Sequence, residues 1–371
     1  MSDEAIAQPN PQPTPISLEA TEGPPIFVVG NGRSGTTLME LMLSAHPRIY
    51  ICHETAFYTW FRGEISRGPF EVFLKHYSKT VNFRWLRLRP EDILARLPSP
   101  LPRIEAWRAL EEIMRQKSAS LGRVRYGDKS PTHTWHLPRI YRDFPDARVI
   151  AMVRDPRGEA ASLSRMPWGC YKDFPNCFNN ELARRAIQRQ SDKLIVVRLE
   201  DLQADPRLQM ERVLEFVGEP WNNAVLDHPN HDPDPGRMPD VPWFKSSGTH
   251  VQRGDEPGSG MSPERVAIVE MLCRKSMRLR GYPPANLSSS PGKLATLLRI
   301  ASSMPEVVRY GWAGGRIAAY YQNPEHWDWY DEIGRELMKK LNPSYWEKRP
   351  DFVFPEAPVL PEASPEPAES R

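Results

Sequence analysis

The stretch VVGNGRSGTTLME, Val28 to Glu40, holds residue types and spacings that fit more than one phosphate site. Gly30, Gly32 and Gly35 satisfy G-x-G-x-x-G, the fingerprint of a dinucleotide turn, while Gly30 and Gly35 also keep the spacing of a Walker A loop. Where that loop needs its lysine the chain has Thr36, and the nearest fixed cation is Arg33, inside the turn. A glycine-rich turn between a strand and a helix points backbone N–H groups outward at the positive end of the helix dipole, which suits a phosphate. Hydroxyls at Ser34, Thr36 and Thr37 add donors, and these favour one phosphate gripped closely over a pyrophosphate lying across bare glycines.

A second constellation lies in VRDPRGEAASLSR. Arg154 leaves an apolar run, Pro156 turns the chain, and Ser162 follows eight residues after Arg154 on the first turns of a helix. An arginine fork and a hydroxyl there, across the sheet from the first loop, make a second anion site with a planar bidentate grip. Two anion sites imply a ligand with two separated phosphates. An ATP or GTP hydrolase fits poorly, because without the loop lysine nothing reaches the β and γ phosphates. A NAD(P)-type dinucleotide-dependent oxidoreductase stays open as an alternative: Glu54, nineteen residues after Gly35, stands near the place of a ribose-binding acid. Against it, Arg33 and the hydroxyls put charge and bulk where that fingerprint needs bare backbone. A non-catalytic nucleotide-binding protein is a third reading.

The elements that would position these groups alternate between strand and helix. PIFVVG is an apolar run ending in glycine, and TTLMELMLSAH follows with Leu38, Leu41, Met42 and Ala45 on one helical face. Further strands are expected at Arg48–Cys52, Ala147–Asp155 and Asp192–Leu202, and a helix at 203–217. Such a succession predicts an α/β fold with a mostly parallel sheet covered on both faces, its ligands at the carboxyl ends of the strands. The stretch 55–125, rich in aromatics and arginine, reads as a helical insertion beside the site. A Pro-, Gly- and Asp-rich segment from Asp227 to Gly260 reads as an irregular lid or binding loop.

Composition narrows the function classes. Lys and Arg number 49 against 47 Asp and Glu, a net charge of +2, which argues against a general nucleic-acid or membrane-surface binder and leaves a local anion site. Cys52, Cys170, Cys177 and Cys273 lack C-x-x-C spacing, so neither a disulfide framework nor a zinc site is expected. HTWH (His133–His136) and HPNH (His228–His231) lack a third ligand nearby, and no metal is expected. The first residues carry no basic, apolar signal pattern, and no run approaches a membrane span of about 18 apolar residues, so a soluble cytoplasmic protein is expected. Residues 1–24 and 351–371, rich in proline, are expected to be disordered. EHWDWYDEIGRELMKKLNPSYWEKRP fits core packing or a homodimer contact.

Taken in order, three motifs resemble the sulfotransferases that use 3′-phosphoadenosine 5′-phosphosulfate (PAPS). FVVGNGRSGTTLMELMLSAHP resembles their 5′-phosphosulfate loop, VRDPRGEAASLS their 3′-phosphate motif, and VVRLEDLQADPRLQMERVLEFVG the segment after their fourth strand. The R-S-G-T-T loop is most similar to a bacterial branch and, with the LSAHP and HET stretches, to tyrosylprotein sulfotransferases. The resemblance covers about residues 25–283 and implies a P-loop-type three-layer α/β/α sandwich with helical insertions. It leaves 284–350 as a C-terminal helical extension and puts the acceptor on the side of 55–125. It further implies PAPS as sulfuryl donor, with Gly32, Arg33, Ser34, Gly35, Thr36, Thr37, Arg154 and Ser162 binding it and Arg33 meeting the leaving phosphate. Glu54 matches the family's catalytic glutamate, with His53 its rival as base; adjacent strand residues point to opposite faces, so only one of them is expected to face the site. Lys129, after a tyrosine-glycine turn in YGDKSPTHTW, resembles the lysine that contacts the sulfuryl group, and Arg253 resembles a residue of the loop closing over the 3′-phosphate. The acceptor hydroxyl, on carbohydrate, lipid, small metabolite or protein tyrosine, is left open.

Overall fold

The apolar run ahead of the glycine loop forms β1 (Ile26–Gly30), all five residues of which are buried. A computed structural model describes residues 14–62, 68–170, 172–252, 258–285, 291–320, 322–327 and 332–361. Four more strands, β2 (Ile49–His53), β3 (Arg125–Lys129), β4 (Arg148–Val153) and β5 (Leu194–Arg198), join β1 in the order β2-β3-β1-β4-β5. Every neighbouring pair is parallel. Parallel strands need crossover connections, and these cover both faces.

Alternation along β1 shows the layers. Phe27 and Val29 face one core with Tyr50, Cys52 and the aromatics Phe57, Phe73 and Tyr77 of the insertion. Ile26 and Val28 face another with Leu38, Met39 and Met42 of α1 (Thr36–Ala45) and with Val213 and Leu214 of the helix Pro206–Val217. This is the expected three-layer α/β/α sandwich. Between β2 and β3 run the helices Phe57–Trp60, Phe70–Tyr77, Val81–Arg84, Pro90–Leu94 and Trp107–Ser120.

β3 corrects the sequence reading, which left its residues in a loop. RYGDK offers no apolar run, and its polar side chains are satisfied by tertiary partners: Arg125 pairs with Glu219 at 2.6 Å, and Asp128 accepts the Thr55 N–H at 3.0 Å. Gly127 sits where a Cβ would collide with the Ile26 carbonyl. Inserting β3 between β1 and β2 removes β2 from the neighbour position it holds in a dinucleotide fold, where the second strand pairs with the first. Glu54, the would-be ribose acid, therefore lies one strand further from the glycine loop than that reading needs.

Other expectations shift at the ends of elements. The fourth expected strand stops at Arg198, and the helix Leu199–Ala204 begins at once, with Glu200 and Asp201 favouring its positive end. Residues 14–24 are not disordered: the Ile16 N–H donates to the Ala119 carbonyl at 2.9 Å, and Arg115 donates to the Thr21 hydroxyl at 2.7 Å. At the other end Phe354 is buried and Arg84 donates to the Ala357 carbonyl at 2.6 Å, so 351–361 is docked as well. Neither segment needed periodicity, since single side chains and main-chain groups hold it. Residues 1–13 and 362–371 lie outside the described residues. The stretch after Tyr282 holds the helices Lys293–Ser302, Met304–Tyr320, Glu332–Leu341 and Pro343–Glu347. Within it Tyr345 and Trp346 cluster with Phe354, and Phe352 and Trp243 pack against them.

One charged residue on the inner face of α1 ties that helix to the sheet. Glu40 is fully buried, with His53 Nδ1 at 2.9 Å, Lys129 Nζ at 3.2 Å and Arg237 Nη1 at 3.9 Å. Burial alone would push its carboxyl up, but His53, Lys129 and Arg237 hold it down at about 2 against an ordinary 4.5. A folded-state value below the unfolded one gives stability that is complete above pH 4.5 and lost as pH falls toward 2. We predict that this group contributes on the order of 3 kcal/mol to the acid loss of unfolding free energy, from about 1.4 kcal/mol per unit. Denaturant titrations of wild type and Glu40→Gln between pH 5 and pH 2 should show that part of the slope missing from the variant; parallel slopes would refute the assignment.

Candidate active site

The glycine loop turns at the carboxyl end of β1. Gly30 has φ +155°, and a Cβ there would lie 2.5 Å from the Met152 carbonyl; Gly35 has φ +96°, and its Cβ would lie 2.8 Å from Leu199. Gly32 makes no such demand, since a Cβ would meet Leu163 and Trp168 at an ordinary 3.5 Å. The two glycines that the backbone requires are thus those of the Walker spacing. Gly35 caps α1 without a side-chain hydrogen bond, and no acid sits in the first turn, so the free N–H groups of the helix start are open to an anion. Thr36 and Thr37 lie on that first turn. Ser34 departs from expectation: it is fully buried, and its hydroxyl donates to the Asn31 carbonyl at 2.7 Å, bracing the loop from within.

Arg33 takes a left-handed backbone, φ +69°, and reaches across to the helix Pro156–Leu163. Its Nε donates to the Ser162 hydroxyl at 3.1 Å, and its Nη atoms donate to the Trp243 carbonyl at 3.4 Å. Arg154, just past β4, donates to the Arg33 carbonyl at 3.2 Å. The structure therefore joins the two anion sites, with Arg33, Arg154 and Ser162 in one cluster. Ser162 sits on the last turn of its helix, not the first, because that helix is only eight residues long. Burial and the neighbouring Arg154 bring the Arg33 guanidinium down to about 10, with Arg165 adding to the effect and Glu54 opposing it. Crowded guanidiniums of this kind fit a dianionic ligand, which would relieve their repulsion. Behind the loop, Asn31 donates to Glu159, a buried acid whose burial pushes it up to about 7.

The other half of the site is at the ends of β2 and β3. Lys129 is the last residue of β3 and fully buried, with Nζ 2.7 Å from Glu54 Oε1 and 3.4 Å from the Thr37 hydroxyl. Burial alone would lower its ammonium, but Glu54 and Glu40 raise it above its ordinary value, so it stays charged. Burial would raise the Glu54 carboxyl, and Lys129 and His53 more than offset this, holding it below the usual range. About a third of the Glu54 side chain is exposed.

Alternation does not separate His53 from Glu54 as expected. β2 ends at His53, and Glu54 (φ +46°) and Ala56 (φ +48°) are left-handed, so the two side chains meet the same charged network from different directions. This exit is fixed by Asp128 of β3 and by Ser130 just after it, whose carboxylate and hydroxyl accept the Thr55 and Ala56 N–H groups at 3.0 and 2.9 Å. Asn82 of the insertion donates to the Glu54 carbonyl at 2.7 Å. His53 Nδ1 faces Glu40, and its ring packs edge-on against Phe244 at 5.2 Å.

Sequence reasoning missed Glu40, Arg237, Asn82 and the Trp243 carbonyl. Glu40 alone left a signal, as an acid in the otherwise apolar LMELML three residues after Thr37. Arg253 lies outside the described residues. His133 of HTWH faces Asp128 at 2.9 Å, and among the described residues no group of three His, Cys, Asp or Glu is placed to hold a metal.

A family model described as the sulfotransferase family matches residues 24–223. Protein-tyrosine sulfotransferase A of Caenorhabditis elegans is 29% identical over 224 residues, 55% of this chain and 52% of that protein. Protein-tyrosine sulfotransferase 1 of Danio rerio is 28% identical over 221 residues, 55% of this chain and 56% of its own. The chain thus spans about half the length of the curated relatives it matches. Among solved structures, the sulfotransferase domain from the Synechococcus PCC 7002 olefin synthase superposes with a TM-score of 0.50 at 21% identity, covering 74% of this chain and 98% of that domain, a likeness of fold. With more than half of its length under one family model, from the residue pair before β1 to beyond the helix Pro206–Val217, the chain belongs to the sulfotransferase family.

Proposed function

We propose that this chain transfers a sulfuryl group from PAPS to an acceptor hydroxyl. The observation that carries the reading is the Lys129–Glu54 pair, 2.7 Å apart beside the open N-terminus of α1. When bound, PAPS supplies the sulfuryl group and a leaving phosphate. The N–H groups of Gly35, Thr36 and Thr37 and the Arg33 guanidinium would hold its 5′ end, and Arg154 with Ser162 its 3′-phosphate.

Glu54, ionised at neutral pH and partly exposed, is placed to take the proton of an incoming hydroxyl. Taking that proton neutralises the partner of Lys129, whose ammonium then has donors free for charge that gathers on a leaving oxygen. His53 holds Glu40, and through Glu40 it fixes Lys129, so its role in this reading is positioning. The relatives named for protein tyrosine make a phenolic hydroxyl the first acceptor to test, ahead of carbohydrate, lipid and small-metabolite hydroxyls.

Two variants test the assignment. Glu54→Gln should lower turnover by about 10²- to 10⁴-fold in a labelled sulfate transfer assay while leaving the affinity for 3′-phosphoadenosine 5′-phosphate within about twofold. Turnover that survives would move the base to His53. Arg154→Ala should weaken binding of 3′-phosphoadenosine 5′-phosphate by about 10- to 100-fold in calorimetric titration, as expected for a lost charge-assisted contact, and hardly change binding of adenosine 5′-phosphosulfate. Equal losses for both ligands would end the two-site argument, and preference for NAD over both would revive the oxidoreductase.

A further inference from the structure

A surface helix of a soluble protein turns its apolar stripe inward, and the helix Lys293–Ser302 does the reverse. Leu294, Leu297 and Leu298 are 72%, 53% and 62% exposed, whereas Thr296 is buried. The next helix, Met304–Tyr320, continues the pattern with Val308 at 69% and Trp312 at 58%, four residues apart and so on one side. Five of the thirteen large apolar side chains exposed among the described residues fall within this short stretch. Single exposed apolar residues need no explanation, but a concentration of them marks an interaction surface.

Charge identifies the partner. Along the sequence of these two helices Lys293, Arg299, Arg309 and Arg316 stand against the single acid Glu306, in a chain whose whole net charge is only +2, and of these Arg299 faces Glu264 of the helix Pro263–Leu272 at 3.9 Å, which leaves Lys293, Arg309 and Arg316 as the cations for a partner. Arg316 lies 4.8 Å over the Trp312 ring, which puts a cation at the apolar stripe itself. Two copies of such a surface would bring like charges together on meeting. An anionic lipid surface satisfies both features, taking the leucines and tryptophan into its interface and pairing the cations with headgroups. Among the described residues no helix is long and apolar enough to cross a membrane, so the arrangement suits lying on a bilayer.

We propose that residues 293–316 dock this enzyme reversibly on an anionic membrane surface. The full chain, sedimented with vesicles of phosphatidylcholine and phosphatidylglycerol (4:1) in 0.1 M salt, should partition onto them. Binding should be at least about tenfold weaker on pure phosphatidylcholine and at 0.5 M salt. Leu297→Glu combined with Leu298→Glu should cut partitioning by about tenfold or more, with the thermal midpoint unchanged because both side chains are exposed. Absence of binding, or equal binding to neutral and anionic vesicles, would overturn the proposal. So would a concentration-dependent dimer in analytical ultracentrifugation that the double variant abolishes, since it would give the surface to a second copy.

Discussion

A buried carboxylate with two cations and an imidazole around it organises this molecule. Glu40 could not remain charged in the interior unless partners were fixed near it, and each partner belongs to a different part of the chain: His53 to β2, Lys129 to β3, Arg237 to the long loop after Asp227. The ionic requirement therefore acts as a registry device. It sets where β2 and β3 end relative to α1, and so where Glu54 emerges and which way the Lys129 ammonium points. Exposed pairs of the same charges would bring little, because solvent and salt would screen them.

On the other side of the loop the balance is reversed. Arg33, Arg154 and Arg165 crowd together, and burial together with that proximity depresses the Arg33 guanidinium. The fold meets this cost with neutral acceptors, the Ser162 hydroxyl and the Trp243 carbonyl. One half of the site is thus internally compensated and the other is held in deficit of negative charge, which is the asymmetry an anionic donor and a neutral acceptor require.

Much of this could be read from the sequence where local chemistry decides the structure. The run PIFVVG, the glycine spacing and the helix after it were legible because apolar periodicity and left-handed turns leave compositional marks. β3 was not, because RYGDK takes its strand form from neighbours on both sides and not from its own side chains. Glu54 and His53 could be named as candidates, yet the rule of alternating faces gave the wrong relation between them once the chain turned left-handed at Glu54. Segments 14–24 and 351–361 looked structureless because a few side-chain-to-carbonyl bonds hold them, which composition does not register.

The reach of Arg33 has a bearing on how the molecule comes to exist. Its partners lie 129 residues away at Ser162 and 210 away at Trp243, and the Trp243 ring rests in turn on Phe352 and Phe354 near the end of the described chain. Contacts closed over such separations form late, after the entropy of the intervening loops has been overcome. The glycine loop is synthesised well before these partners and is finished only once they arrive, so a chain interrupted before Trp243 would carry the whole central sheet and still lack a settled arginine.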